Sequence, residues 1–325
     1  MESPPLLRRN VDRALTGVAL ADLAVAAAAL SQRYRDEHRG DGPHVRSERD
    51  ALAYIAVRLP ATYAAVRASF AAVAEQRPDF APRTLLDVGA GPGTALWAAA
   101  DCWPDIADAL LLEASPIFCT CGEALARGAE LPRLSWRVVD IATDAIDSPA
   151  CDVVSLAYVL NELAPGVREQ VLKRLWYLTA DTLVIVEPGT PAGWERILAA
   201  RRQLIDAGAH VLAPCPHACA CPLQEPDWCH FAERVARSRM HRLAKEAEVP
   251  WEDEKFSYVA LSRRPAAVAA PRVIARPRKG SGRVTLKLCR PDGSAGEALF
   301  SRRDGSAFKR AWRSDWGSRI DLDTR

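Results

Sequence analysis

Leu85-Leu86-Asp87-Val88-Gly89-Ala90-Gly91-Pro92-Gly93 is an apolar run that ends in alternating glycines. This is the pattern of a strand that turns sharply into a helix. Glycine lets backbone approach a ligand closely, and the helix N-terminus that follows offers unpaired N–H groups. A Gly-rich turn alone is weak evidence, so its neighbours matter. The next apolar run, Leu110-Leu111-Leu112, ends at Glu113, about 20 residues on, where an acidic side chain takes ribose hydroxyls. Asp140 ends the third run, where a carboxylate can accept from an adenine amino group.

Working outward, candidate strands at 84–88, 109–112, 134–139, 153–156 and 182–186 alternate with helical stretches such as 95–102 and 167–178. Strand–helix alternation of this length implies an α/β fold, a Rossmann-like doubly wound parallel sheet. Residues 1–80 read as an N-terminal helical region: Leu20, Leu23, Ala27 and Leu30 recur at helical spacing, as do apolar residues over 52–74. The Gly-rich stretch 39–43 separates the two as a loop. The Rossmann-like domain is expected over 81–212, a cysteine-rich metal-binding segment with a helix near 231–247 over 213–250, and a basic β module over 251–325. In that module Val284, Leu286 and Leu288 alternate with polar residues, the period of a half-buried strand.

The 325 residues carry a net charge of only +2, with 49% hydrophobic and 26% charged residues, an ordinary globular composition. The distribution is more informative. Residues 255–319 hold 16 Lys/Arg against 4 Asp/Glu, leaving the remainder at −10. An acidic body with a basic end suits a polyanionic partner. Phe256, Tyr258, Phe300, Phe308, Trp312 and Trp316 are interleaved with basic residues such as Arg263, Arg264, Lys279 and Arg313, as RNA contacts through phosphates and stacking would require. A solvated basic face with aromatics in its core is the competing reading. The apolar run at 18–30 is too short to span a bilayer, and no secretory signal is visible. A cytoplasmic location without membrane association is the expectation, and nothing points to oligomerisation.

Nine cysteines in such a chain argue for metal or redox chemistry. Cys215, Cys219, Cys221 and Cys229 fall within fifteen positions, and thiolates favour soft metals. The spacing gives no clean pair of zinc knuckles. Cys215 and Cys221 each precede proline, a context also seen in ferredoxin-type cluster runs. Zinc held by some of Cys215, His217, Cys219, Cys221, Cys229 and His230 remains an alternative, and Cys289 at the end of the tail strand could supply a ligand. Cys102, Cys119, Cys121 and Cys151 lie in Rossmann elements and read as packing or surface thiols. The dipeptide Pro214-Cys215 lies beyond the fifth strand, the wrong place for an RNA cytosine-5 nucleophile.

The loop and its two acidic partners look like those of methyltransferases that bind S-adenosylmethionine in a Rossmann-like fold. Likeness to that class implies cofactor contacts at Asp87, Gly89, Gly91, Gly93, Glu113 and Asp140. Asn161 and Glu162, after the fourth strand, stand where acceptor groups often sit, although the Asp/Asn-Pro-Pro-Tyr tetrapeptide of amino-methylating enzymes is absent. More specifically, the chain resembles the methyltransferase-like assembly factors of the mitochondrial small ribosomal subunit, which have bacterial relatives. The resemblance rests on Leu30-Ser31-Gln32-Arg33-Tyr34-Arg35, Arg58-Leu59-Pro60-Ala61-Thr62-Tyr63, 86–93, Val186-Glu187-Pro188-Gly189-Thr190-Pro191 and Cys215-Pro216-His217. It implies a [4Fe–4S] cluster on Cys215, Cys221, Cys229 and Cys289, with Cys219 outside the ligand set. It also implies the small ribosomal subunit or its rRNA precursor as partner, in the cytoplasm of a bacterium. Methyl transfer to small-subunit rRNA, a catalytically inactive RNA-binding scaffold, and a zinc-containing small-molecule methyltransferase are the functional readings.

Overall fold

The computed structural model describes residues 1–35, 45–265 and 270–321; the expected loop at 39–43 lies outside them. Four helices come first: α1 (Pro5–Ala14), α2 (Leu20–Arg35), α3 (Glu48–Val57) and α4 (Leu59–Gln76). Ser47 caps α3 by accepting from the Asp50 amide, and a proline in the first turn starts α4 without losing a helical hydrogen bond. Arg33 of α2 reaches Asp50 of α3 at 2.8 Å, which ties the two together. Helix α4 is buried along most of its length because it lies against the sheet.

The central units follow in the expected order: β1 (Thr84–Val88), α5 (Thr94–Cys102), β2 (Asp108–Glu113), α6 (Pro116–Ala126), β3 (Arg133–Val138), β4 (Cys151–Ala157), α7 (Pro165–Tyr177), β5 (Thr179–Pro188), α8 (Pro191–Asp206) and β6 (His210–Ala213). Then come β7 (Phe231–Ala236), α9 (Arg239–Ala244) and β8 (Trp251–Ser262). The main sheet runs β3-β2-β1-β4-β5-β8-β6, with β7 also on β8. Strands β1 to β5 pair in parallel, whereas β8 is antiparallel to β5, β6 and β7. The sheet is therefore mixed, not all parallel. Neighbouring residues in the central strands face opposite cores: Leu85, Val153 and Val184 pack towards the N-terminal helices, and Leu86, Val154 and Ile185 towards α7 and α8. Burial on both faces is why these strands read as continuous apolar runs.

Two expectations change. Residues 231–247 are not one helix, since 231–236 form β7. Phe231 and Val235 are buried four residues apart, a spacing that serves one helix face or one strand face equally well. Pairing along β8, from Phe231 with Phe256 to Ala236 with Trp251, decides for the strand. Residues 251–262, placed by sequence with the basic tail, belong to the main sheet as β8.

The smaller sheet comprises β9 (Arg272–Val273), β10 (Arg278–Gly280), β11 (Arg283–Cys289) and β12 (Ala295–Ser301), followed by α10 (Gly305–Arg313). Its core is Val273, Val284, Leu286, Leu288, Ala311 and Ile320, so the period-2 reading of 284–288 holds. Arg272, 2% exposed, joins this sheet to the main body: Nε donates to the Pro214 carbonyl at 3.2 Å, Nη1 donates to that of Gly317 at 2.8 Å, and Glu75 lies 3.5 Å away.

A second buried cation locks α4 onto the sheet. Arg77 reaches Asp181 of β5 at 3.2 Å and Ser262 of β8 at 3.3 Å. Arg77→Leu leaves the largely buried Asp181 carboxylate short of its main partner. The substitution is expected to lower the unfolding free energy by about 3 kcal/mol, read by urea titration.

Candidate functional site

The C-terminal ends of β1, β2 and β4 open onto a cleft of about 620 Å³, within the size range of small-molecule sites. Gly89, Gly91, Glu113, Asp140, Asn161 and Glu162 all line it, so six of the eight residues expected in the cofactor or acceptor site meet there. Asp87 and Gly93 flank the loop behind it. The loop turns through left-handed conformations at Gly89 (φ 66°), Gly91 (φ 54°) and Gly93 (φ 80°), which glycine alone adopts freely. A Cβ on Gly89 would stand 2.4 Å from Cγ2 of Val159, whereas one on Gly91 would meet nothing. The loop thus packs tightly on one side and is open at its tip.

Glu113 holds that tip in place. Its carboxylate accepts from the Gly91 amide and from the Ser115 amide, both at 2.8 Å, clamping the loop to the start of α6. Asp140 accepts from the Ala142 amide at 3.0 Å. Asp87, 1% exposed, accepts from the Ser155 hydroxyl at 2.6 Å, and its other oxygen has no partner among the described residues. Burial raises its pKa to about 7, against the Ser155 hydrogen bond and with a smaller push from Glu113. Asn161 is 7% exposed and its Oδ1 has no partner among the described residues.

Sequence reasoning gave no role to the cleft's opposite wall. Arg58, at the α3–α4 junction, pairs with Glu254 of β8 at 3.2 Å, and the Tyr158 hydroxyl donates to Glu254 at 2.9 Å. Tyr158 adopts φ 60°, a conformation costly for a bulky side chain. Thr62 and Ser31 also line this wall. Ser31, Arg58 and Thr62 stand in the sequence only as parts of family-like motifs; no local signal pairs residue 58 with residue 254.

On the far side of β8 lies a smaller cavity. Cys215, Cys221, Cys229 and Cys289 all line it, with His217 and Arg201. The first three come from the loop between β6 and β7, and Cys289 ends β11. Burial raises the Cys229 thiol, and the nearby Cys215, Cys221 and Cys289 add to the effect. Among the described residues no three His, Cys, Asp or Glu side chains converge closely enough to hold a single metal ion. Cys219 is exposed beside the Gly293 turn, away from the cavity. His230 also stays out of the cavity, stacked on Trp228 and edge-on to Trp316. His217 Nε2 lies 3.3 Å from Cys289 Sγ. Arg201 of α8 is 5% exposed and donates to the His217 carbonyl at 2.7 Å, and no carboxylate among the described residues pairs with it. The other cysteines sit in α5, α6 and β4, as expected.

Not all of the basic tail is free for a polyanion. Arg263 donates to the Thr179 and Trp176 carbonyls and lies over the Trp176 ring at 3.8 Å. Phe256 and Tyr258 are core residues of β8, only 2% and 6% exposed. Several exposed basic residues lie on the small sheet and around α10, where Trp312 meets Lys279 at 5.9 Å and Arg283, Arg302 and Arg313 are exposed. No described helix is long and apolar enough to cross a membrane.

The family model described as "Mitochondrial small ribosomal subunit Rsm22" matches residues 48–321. The chain belongs to this family. It is 30% identical over 295 residues to the human "Ribosome assembly protein METTL17, mitochondrial", covering 84% of this chain and 63% of that protein. It is 22% identical over 346 residues to the "Rsm22-cox11 tandem protein 2, mitochondrial" of Schizosaccharomyces pombe, covering 90% of this chain and 45% of that one. The Rsm22-family chain therefore spans roughly half to two thirds of these relatives. The expected bacterial cytoplasmic location is overturned, since the family description and both relatives are mitochondrial. Similar solved structures include the plantazolicin methyltransferase BpumL with SAH (TM-score 0.42, 14% identity, 75% of this chain, 98% of that chain). Another is magnesium protoporphyrin IX methyltransferase from Synechocystis PCC 6803 with bound SAM (TM-score 0.42, 14% identity, 77% and 100%).

Asp87 yields a pH test. Its folded pKa of about 7 lies above the ordinary 3.8, so the folded state binds the proton more tightly. The contribution of Asp87 to stability is therefore fully present below about pH 4 and is lost as pH rises towards 7. Asp87→Asn keeps an acceptor for Ser155 and removes the titration. Urea unfolding from pH 4 to 8 should show the variant gaining on wild type through that window and levelling off above it.

Proposed function

We propose that this Rsm22-family chain assists assembly of the small ribosomal subunit, binding S-adenosylmethionine in the main cleft and ribosomal RNA through the small sheet. The observation that carries the cofactor reading is the convergence of Gly89, Gly91, Glu113 and Asp140 on one cleft at the strand ends. An open loop tip at Gly91 suits close approach of the methionine part, Glu113 the ribose and Asp140 the adenine. The family description and the human relative's name, which mention the small ribosomal subunit and ribosome assembly, support the partner. Lys279, Trp312 and the arginines around them provide the charge and the ring face that RNA requires.

The thiol cavity is proposed to hold a [4Fe–4S] cluster on Cys215, Cys221, Cys229 and Cys289. The donor chemistry fits. Four thiols line one cavity, and thiolates are the donors such a cluster takes. The buried Arg201 beside them, which meets no carboxylate among the described residues, suits an anionic group. With all four positions taken by protein thiolates, the cluster would have a structural or electron-carrying role.

In the leading reading a methyl group passes from the cofactor to a base of small-subunit rRNA, with Asn161 and Glu162 placing the acceptor. Its rival, binding without transfer, is favoured by Tyr158, whose hydroxyl beside the acceptor position is engaged by Glu254. Labelled S-adenosylmethionine mixed with small-subunit RNA separates the two: methyl incorporation that is lost in Asn161→Ala supports transfer. Tight RNA binding without incorporation overturns it. Glu113→Ala is expected to weaken cofactor binding about tenfold. RNA affinity should fall steeply between low and physiological salt, with a shallower slope after Lys279→Ala and Arg283→Ala. Anaerobically purified protein should be brown, with iron and acid-labile sulfide in equal amounts. A colourless, zinc-loaded preparation overturns the cluster.

A further inference from the structure

Helix α8 buries two arginines with opposite surroundings. Arg196 is paired with Glu187 at 2.7 Å, a pair in which both charges are accounted for. Arg201, 5% exposed, meets no carboxylate among the described residues; its hydrogen bond goes to the His217 carbonyl at 2.7 Å. A buried guanidinium without a countercharge is strongly unfavourable unless something anionic lies beside it. What lies beside it is the four-thiol cavity, which Arg201 itself lines. His217, held through its carbonyl by Arg201, places Nε2 3.3 Å from Cys289 Sγ.

We propose that Arg201 and His217 form the charge-compensating layer of the thiol site, Arg201 as its buried countercation and His217 as an N–H donor to the Cys289 sulfur. The proposal rests on the cluster reading above. A metal-bound thiolate has no proton, so the hydrogen in the Cys289–His217 contact belongs to Nε2. A [4Fe–4S] cluster with four thiolates is a net anion, and taking up one electron makes it more so. A fixed cation and a hydrogen bond to sulfur both favour the more negative, reduced state, so the pair raises the reduction potential. Neither residue ligates iron, and their role is electrostatic positioning.

The test is a potentiometric titration of the anaerobic full-length protein, with titanium(III) citrate as electron donor and cluster absorbance as readout. Each variant is first checked for folding by circular dichroism and for iron content. His217→Leu, which removes the donor, and Arg201→Met, which removes the charge, should each lower the potential. The expected size is about a tenfold change in the reduced-to-oxidised ratio, ~59 mV for one electron. His217→Gln keeps an N–H and Arg201→Lys keeps the charge, and both should stay near wild type. Potentials of His217→Leu and Arg201→Met equal to wild type overturn the proposal. So does loss of iron at unchanged potential, which assigns the pair to packing. If Arg201→Met does not fold, the His217→Leu and His217→Gln comparison still decides. A wild-type protein without iron fails at a different point, because it removes the cluster reading before any variant is compared.

Discussion

The antiparallel strand β8 bonds to three others, and both candidate sites are built on it. Its pairing with β5 runs from Thr182 with Ser262 to Pro188 with Phe256, and β7 continues along its first half. Asp253, Glu254 and Lys255 line the cleft, whereas Ser257, Tyr258 and Val259 line the thiol cavity. The Ser257 hydroxyl also donates to the Cys229 carbonyl at 2.9 Å. A one-residue slip in this ladder would exchange the faces of all these residues together. The cleft and the cavity therefore share one register, and a disturbance of β8 is felt at both.

The cavity needs more than β8. Three of its thiols come from a single loop, so bringing them together costs little chain entropy, while Cys289 arrives from a separate sheet. Its approach is fixed by contacts that do not involve thiols. Arg272 donates to the Pro214 carbonyl next to Cys215, and Lys287, near Cys289 on β11, pairs with Asp227 near Cys229. Trp316 meets His230 edge-on at 4.9 Å, and His230 stacks on Trp228, whose indole N–H donates to the Gly189 carbonyl at 3.0 Å. Gly189 lies on the cleft. A continuous set of packed groups thus runs from the small sheet, past the thiols, to the cleft.

The five parallel strands and the Gly-rich loop were legible because their signals are local. An apolar run followed by glycines at 89, 91 and 93 carries its meaning within nine residues. Strand β8 was not legible as part of the sheet. Lys255 and Arg263 gave its surroundings the charge of the tail, and its partners lie far away in sequence. Strand β7 was misread because residues four apart share a face in both helix and strand. The four cysteines of the loop stood out by density, whereas the ligand set without Cys219 came from the family resemblance; Cys215, Cys221, Cys229 and Cys289 line one cavity. The Arg58–Glu254–Tyr158 wall had no signal, since an ion pair between residues 196 apart has no spacing to recognise.

That wall bears on what the cleft can admit. A tyrosine at φ 60° costs about 1–2 kcal/mol, and the surrounding structure must hold it there. Two bonds do so: the Tyr158 amide donates to the Val186 carbonyl at 2.8 Å, and its hydroxyl donates to Glu254. Glu254 is in turn held by Arg58, so the phenol is fixed from both ends. The side chain reaches from the end of β4 to β8 and lines the cleft. The glycine loop, Asn161 and Glu162 line the same cleft as this phenol. Anything that enters the cleft therefore meets a phenol whose position is set by β5 and β8 and not by the ligand.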